Sequence, residues 1–419
     1  MGWLEFVFLL CLSWISQKKD VAEPLLRNLP AGIVVQSSQE LSREQTAGIA
    51  RRLGGKIQRL TNSVIDVQGA PIKVNVIVAA DKSSADAIHK SLGKPFPLSL
   101  QKDLTVVEYV GNRVDDALAL KTSYELGLVE KPSSVRYRVI ADLATIDEAD
   151  YSVCNELFNQ FLTQSTQPES GNNGRAAAER IRDLSRRFNF GRTLLLRDPA
   201  LNGETTTHVF QPTARESNKI GGTRSYVFDQ PSVREGVSFV TATMEISVDN
   251  TGLRLVSTGV DAKLTAPTNF WPSEDPEIQL LAKEITLGKS TADEKVKAIL
   301  EWLQPGRNLK YGGELGSRWG TRQFLKQRFG RCWDFSDAFV TLARASGIPS
   351  RQVAGWLYGS SGHVWAECFL EGKGWQQVDP TGGGILNCGI YHIPYFTSED
   401  GELPIVYLGT PEIKVLETK

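Results

Sequence analysis

Paired cysteines are missing from this chain. Its five cysteines stand apart at 11, 154, 332, 368 and 388, with no Cys-x-x-Cys spacing, which excludes the usual zinc-ribbon and zinc-finger patterns. A glycine-rich phosphate loop is missing too, so nothing predicts a nucleotide cofactor. The formal net charge is −1 over 419 residues. A nucleic-acid partner normally meets a basic surface, so none is expected here. Oxygen-rich acidic clusters of the calcium-binding kind are also lacking around the motifs described below. We therefore expect no cofactor and no metal.

The motifs that are present converge on three residues. Cys332 lies in Gly330-Arg331-Cys332-Trp333-Asp334, ahead of Phe335, Phe339, Leu342 and Ala343, whose spacing predicts a helix burying one face. The thiol thus opens a helix, where free N–H groups and the macrodipole favour an anion and so the reactive thiolate. The helix should stop near Gly347, because Pro349 cannot continue it. A strand from Arg351 to Leu357 follows, then two strand-like runs, 363–370 and 374–379, broken by Glu371-Gly372-Lys373. That break predicts a β-hairpin. If the turn centres near Glu371-Gly372, position 363 pairs close to 379 or 380, and register alone makes His363 and Asp379 neighbours. Cys332 would then be the nucleophile, His363 its base and later acid, and Asp379 the carboxylate that orients the imidazole. The backbone N–H of Cys332 is one expected oxyanion donor. Trp319, Gln323 and Arg331 are candidates for the second.

Five linked stretches carry a family resemblance: Gly330-Arg331-Cys332; Leu342-Ala343-Arg344; Gly347 to Gly355; His363-Val364-Trp365-Ala366-Glu367; and Gly374-Trp375-Gln376-Gln377-Val378-Asp379-Pro380-Thr381. In this order they resemble the core of the transglutaminase-like superfamily, in its bacterial-type form. The resemblance implies a papain-like α+β fold with a Cys-His-Asp triad, placed by motif matching on Cys332, His363 and Asp379. It also implies acyl transfer, since members act as transamidases, as peptidases or amidases, or in some cases without catalysis. Only Trp356 to Gly362 separates the strand after Gly355 from His363, which leaves little room for the long loops of the calcium-regulated animal enzymes.

Lesser residues are read more plainly. Trp365 and Trp375 are expected to pack the hairpin against the helix, as aromatic residues do on half-buried sheet faces. Arg351 and Glu367 are expected to form a structural ion pair. His392 follows the Gly382-Gly383-Gly384 loop with no carboxylate near it in sequence, and is expected to be a surface or core histidine.

Length and composition frame the rest. A chain of 419 residues, 41% hydrophobic and 23% charged, suits a soluble protein of two or three domains. Residues 1–22 hold the apolar run Phe6 to Ile15, of signal-peptide length, although no Lys or Arg precedes it and Glu5 intrudes. It predicts export to the periplasm or beyond the cell, with no stable membrane insertion past that segment; without a signal the protein would be cytoplasmic. Residues 30–165 alternate strand-like and helical runs and read as an α/β domain of unknown role. Residues 166–204 read as linker and helix, residues 205–270 as an antiparallel β region, and residues 276–400 as the α+β transglutaminase-like core. Within the β region, Val237–Val248 and Leu253–Val260 flank a turn-forming Asp249-Asn250-Thr251-Gly252. The core opens with helices over Glu277–Ile285 and after the capping box Thr291–Glu294.

The expected activity is cysteine-dependent attack on an amide of a protein or peptide through a Cys332 thioester. Hydrolysis of peptidase or amidase type is favoured, because no amine-binding site is identifiable. The alternatives are transamidation that cross-links protein glutamine, and, from another class, a non-catalytic binding or assembly protein that keeps the triad by descent.

Overall fold

The computed structural model describes residues 24–26, 29, 33–67, 70–111, 116–145, 192–198, 205–220, 223–234, 237–249, 262–313, 317–357, 361–382, 388–403, 405–407 and 411–419. The signal-like segment 1–22, most of the linker and helix expected over 166–204, and the strand expected over 253–260 lie outside these residues; where 166–204 is described, residues 193–197 form a strand instead. The chain forms two compact units, one of residues 1–132 with 413–415 and one of residues 133–412 with 416–419.

The first unit is built on an antiparallel sheet. Its strands are β1 (Ile33–Glu40), β2 (Ile57–Val67), β3 (Ala70–Ala79), β4 (Ser99–Lys102) and β5 (Thr105–Val110), in the order β1-β2-β3-β5-β4. Helix α1 (Arg43–Leu53) begins in a Ser42–Gln45 capping box, and α2 (Lys82–Leu92) begins at Asp81, whose side chain accepts from Ser84 N. Both helices present apolar residues to one sheet face, where Ile49, Leu53, Ala85 and Ile88 pack with Leu60, Ile77 and Val106. A third helix, α3 (Asp116–Glu125), completes the unit. The boundary expected near residue 165 falls instead after Pro132. The strand run at Val135–Val139 belongs to β6 (Ser134–Thr145), which pairs with a strand a hundred residues further on. Such non-local pairing leaves no local signal.

The second unit holds three larger sheets. One is β7 (Thr193–Arg197), β10 (Thr223–Val227) and β9 (Glu216–Ile220), in that order. A second orders β11 (Ser232–Arg234), β12 (Val237–Asp249), β6 and β19 (Ile405–Tyr407), with β8 (Thr205–Gln211) also on β12. The third orders β17 (Gly374–Val378), β16 (Ser361–Leu370), β15 (Ser350–Leu357) and β18 (His392–Ser398), all antiparallel. A short parallel pair, β13 (Lys310–Tyr311) with β14 (Phe329–Gly330), lies just before Cys332.

Four described helices surround this region: α4 (Pro276–Ile285), α5 (Ala292–Leu303) and α6 (Thr321–Gln327) pack on α7 (Cys332–Ala345), which packs on the third sheet. The expected capping box forms at the start of α5, with Thr291 Oγ1 accepting from Glu294 N and Glu294 accepting from Thr291 N. Helix α7 is buried on every side from Asp334 to Arg344, rather than on one face. Its apolar residues Phe335, Phe339, Leu342 and Ala343 join a core with Ala366, Cys368 and Leu370 of β16. Its polar residues are buried because each finds a partner. Asp337 accepts from Arg318 Nε at 2.7 Å, from Trp271 Nε1 at 2.9 Å and from Gln352 Nε2 at 3.0 Å, while Arg344 donates to the carbonyls of Ser350, Ala266 and Glu399. Periodicity sees the apolar stripe of such a helix but not the ionic sockets around it.

Candidate active site

Cys332 is the first residue of α7 and is half-buried. The helix start is held by Asp334, whose Oδ2 accepts from Arg331 N at 3.1 Å and whose Oδ1 accepts from Trp319 N at 2.6 Å. Burial pushes the Asp334 carboxyl up to about 7, although those two N–H groups favour its charged form. Near neutrality the helix start therefore carries less than a full opposing negative charge.

His363 lies on β16, and its strand is fixed to the helix by Ser336 Oγ, which donates to Trp365 O at 2.7 Å. Its Nε2 bonds Asp379 Oδ2 at 2.8 Å, which leaves Nδ1 for the Cys332 thiol, a neighbour close enough to favour a charge on the imidazole. Burial works against a charge on His363. The carboxylate of Asp379 and the thiol of Cys332 outweigh it and raise the imidazole to about 10. Burial would likewise raise Asp379, but His363 and His392 hold it well below the usual carboxylate range. A helix N-terminus stabilises an anion by roughly 0.3–1 kcal/mol, whereas a hydrogen bond to a charged group is worth roughly 1.5–3 kcal/mol.

The hairpin is present, but its register differs from expectation. Ala366 pairs with Val378, so the ladder carried onward would set His363 opposite Thr381, not Asp379 or Pro380. Asp379 reaches His363 because the chain leaves the ladder after Val378 and turns. Thr381 N and Thr381 Oγ1 both donate to Asp379 Oδ1, at 2.9 and 2.6 Å. Pairing rules locate the neighbourhood; the turn sets the contact.

His392 is buried, and its Nε2 lies 3.1 Å from the same Asp379 Oδ2. The carboxylate absent from its sequence neighbourhood comes from the strand end across the sheet. Trp365 does not pack on α7 either. The β16 residues in the helical core are Ala366, Cys368 and Leu370, and Trp365, on the alternate face, stacks on His363 at 6.1 Å and meets His392 edge-on at 5.1 Å. Gly355 makes room for it, since a Cβ there would run into the indole. Trp375 lies under the Arg351 guanidinium, 3.9 Å from its ring centroid.

Arg351 and Glu367 pair as expected, at 2.5 Å. Sequence reading missed the third member: Arg197 of β7 bonds Glu367 Oε2 at 2.9 Å and also bonds Thr397 Oγ1. A partner 170 residues away announces itself only as a lone arginine in an apolar strand. Of the three candidates for a second oxyanion donor, Gln323 spends its amide on Gln327 and Arg331 spends Nε on Gly313 O. Trp319 keeps a buried indole N–H with no hydrogen-bond partner.

Residues 279–380 match the transglutaminase-like superfamily core. The chain is 30% identical over 137 residues to the uncharacterized protein YebA of Bacillus subtilis (strain 168), an overlap of 27% of this chain and 18% of that protein. The match thus spans under a fifth of the relative's length. Among solved structures, a candidate cysteine protease from Cytophaga hutchinsonii is similar at 17% identity and a TM-score of 0.37, covering 68% of this chain and 89% of that one. A candidate protease from Parabacteroides distasonis follows at 11% identity and a TM-score of 0.24, covering 78% and 68%. The family match carries the comparison: the stretch 279–380, which contains Cys332, His363 and Asp379, is similar to the transglutaminase-like superfamily core.

Proposed function

We propose that this protein is a cysteine-dependent acyl-transfer enzyme that hydrolyses an amide bond in a protein or peptide. The observation that carries the reading is His363, set between the Asp379 carboxylate at 2.8 Å and the thiol that opens α7. The thiolate of Cys332 attacks the carbonyl carbon, and the oxyanion is met by the Cys332 backbone N–H at the helix start and by the spare indole N–H of Trp319. As the C–N bond breaks, His363 gives its proton to the departing nitrogen, leaving a thioester. Water then attacks the thioester with His363 as base, releasing a carboxylic acid and restoring the thiol. Asp379 stays ionised and keeps the imidazole in the tautomer with Nδ1 facing sulphur.

The test is mass spectrometry of the protein quenched during turnover of a peptide-amide library, with a fluorescent primary amine present. Hydrolysis gives an acyl adduct on Cys332 and free acid. Incorporation of the amine in place of acid would move the reading to transamidation, and no adduct on Cys332 with any substrate would leave a binding protein. The signal-like segment 1–22 gives the proposal its place: action outside the cytoplasm, checked by fractionating cells that express the full chain.

A further inference from the structure

Asp379 Oδ2 accepts from two imidazoles, His363 Nε2 at 2.8 Å and His392 Nε2 at 3.1 Å. A triad needs only the first. Oδ1 is already filled by Thr381 N and Thr381 Oγ1, so the carboxylate is pinned without His392 and the second imidazole is not required to hold it. What His392 adds is electrostatic. An N–H aimed at Oδ2 draws carboxylate charge away from His363 and sets a positive dipole end 6.0 Å, ring to ring, from the other imidazole. Both effects oppose a proton on His363.

The opposition has a use in the proposed reaction. A fully desolvated carboxylate facing one imidazole makes a strong base, and a strong base is a poor acid toward a leaving amine; general acid–base catalysis is best when the group's pKa lies near the working pH. We propose that His392 acts on His363 through Asp379, dividing Oδ2 between two imidazoles and so keeping His363 acidic enough to protonate the leaving group. This rests on the acyl-transfer reading above. The placement is built rather than incidental: His392 N donates to Gly389 O at 2.9 Å, His392 sits on β18 beside Leu357 of β15, and Trp365 walls both imidazoles on one side. Among the described residues, the ionisable groups near the pair include Cys332 on α7, Tyr311 on β13 with Arg331 beside it, and Tyr407 on β19, whose hydroxyl lies against Gly362. Burial and then the neighbouring thiol raise both phenols, so they add no charge at neutral pH.

The chain has only four histidines, so their ring nitrogens can be followed individually by NMR in ¹⁵N-histidine-labelled protein. The titration is run on Cys332→Ser protein, where the thiol no longer raises His363. In that protein His392 should be neutral with its proton on Nε2. Adding His392→Phe should move the His363 midpoint upward by about one unit, the scale on which a lost hydrogen bond to a carboxylate shifts a neighbour. His392→Gln, which still donates an N–H, should leave the midpoint where it was. A His392 proton on Nδ1 would overturn the proposal with no second variant needed, and so would a His363 midpoint that stays or falls in His392→Phe. Failure of the enzyme reading shows elsewhere: in otherwise unaltered protein, Cys332 would then alkylate slowly at neutral pH whatever His392 does.

Discussion

Two buried ionic clusters sit four residues apart on one strand, and only one of them reads as a site. Around His363 the groups are a carboxylate, two imidazoles and a half-buried thiol. Around Glu367 they are two guanidiniums, from Arg197 and Arg351. Burial would raise Glu367, but the two arginines hold it down to about 2. Arginine keeps its charge under all ordinary conditions, so the Glu367 cluster has one protonation state near neutrality and no nucleophile. The His363 cluster holds a proton that can move between sulphur, nitrogen and a leaving group. Buried charge alone does not mark an active site; a movable proton with a path to a half-exposed nucleophile does.

The comparison is broken most severely at Asp379. Asp379→Asn should cut amide turnover roughly 10³–10⁴-fold by favouring the wrong imidazole tautomer, with the fold intact by circular dichroism; unchanged turnover would move the orienting group elsewhere. Trp319→Phe should cost about 10²-fold in turnover, the usual loss for one oxyanion donor. Its labelling by iodoacetamide should stay unchanged, because alkylation forms no oxyanion. A parallel loss in labelling would place Trp319 in packing instead.

The Glu367 cluster should respond in the opposite way. Glu367→Gln removes the carboxylate shared by two buried guanidiniums and leaves Arg351 the more distant Glu399 at 3.4 Å, and denaturant titration should find a loss of about 3–5 kcal/mol. The labelling rate of folded Cys332 should not change. Because the folded-state value of Glu367 is depressed, its contribution to stability is complete above its ordinary value of 4.5 and is lost as pH falls toward about 2. The acid limb of the stability curve should flatten in Glu367→Gln, and a limb identical to that of the unaltered protein would assign acid sensitivity to other carboxylates.

What could be read from the sequence follows the range of each interaction. Helix α7, strands β15 to β17 and the meeting of Cys332, His363 and Asp379 rest on local spacing, one capped helix and one hairpin, and all were legible. The ladder opposite His363 is shifted by one or two positions from the expected register, and the turn at Thr381, rather than the ladder, brings Asp379 to it. His392, Arg197 and the sockets for Asp337 and Arg344 are joined to the site by tertiary contacts that leave no periodic trace. The first unit fares in the same way. Its strands and capped helices were visible as alternation, but its end at Pro132 was not, because β6 looks like its neighbours until its partner β12 is known.

The central claim is that His363 activates Cys332, and the most direct measurement is iodoacetamide labelling across pH, read by peptide mass mapping, in the unaltered protein and in His363→Ala. Buried Cys368, its thiol pushed up by desolvation, serves as an internal control that should stay unlabelled in the folded protein. Fast labelling of Cys332 at neutral pH that slows by about 10²-fold or more in His363→Ala is the predicted result. Slow labelling of Cys332 at neutral pH, unchanged by the substitution, would contradict the account.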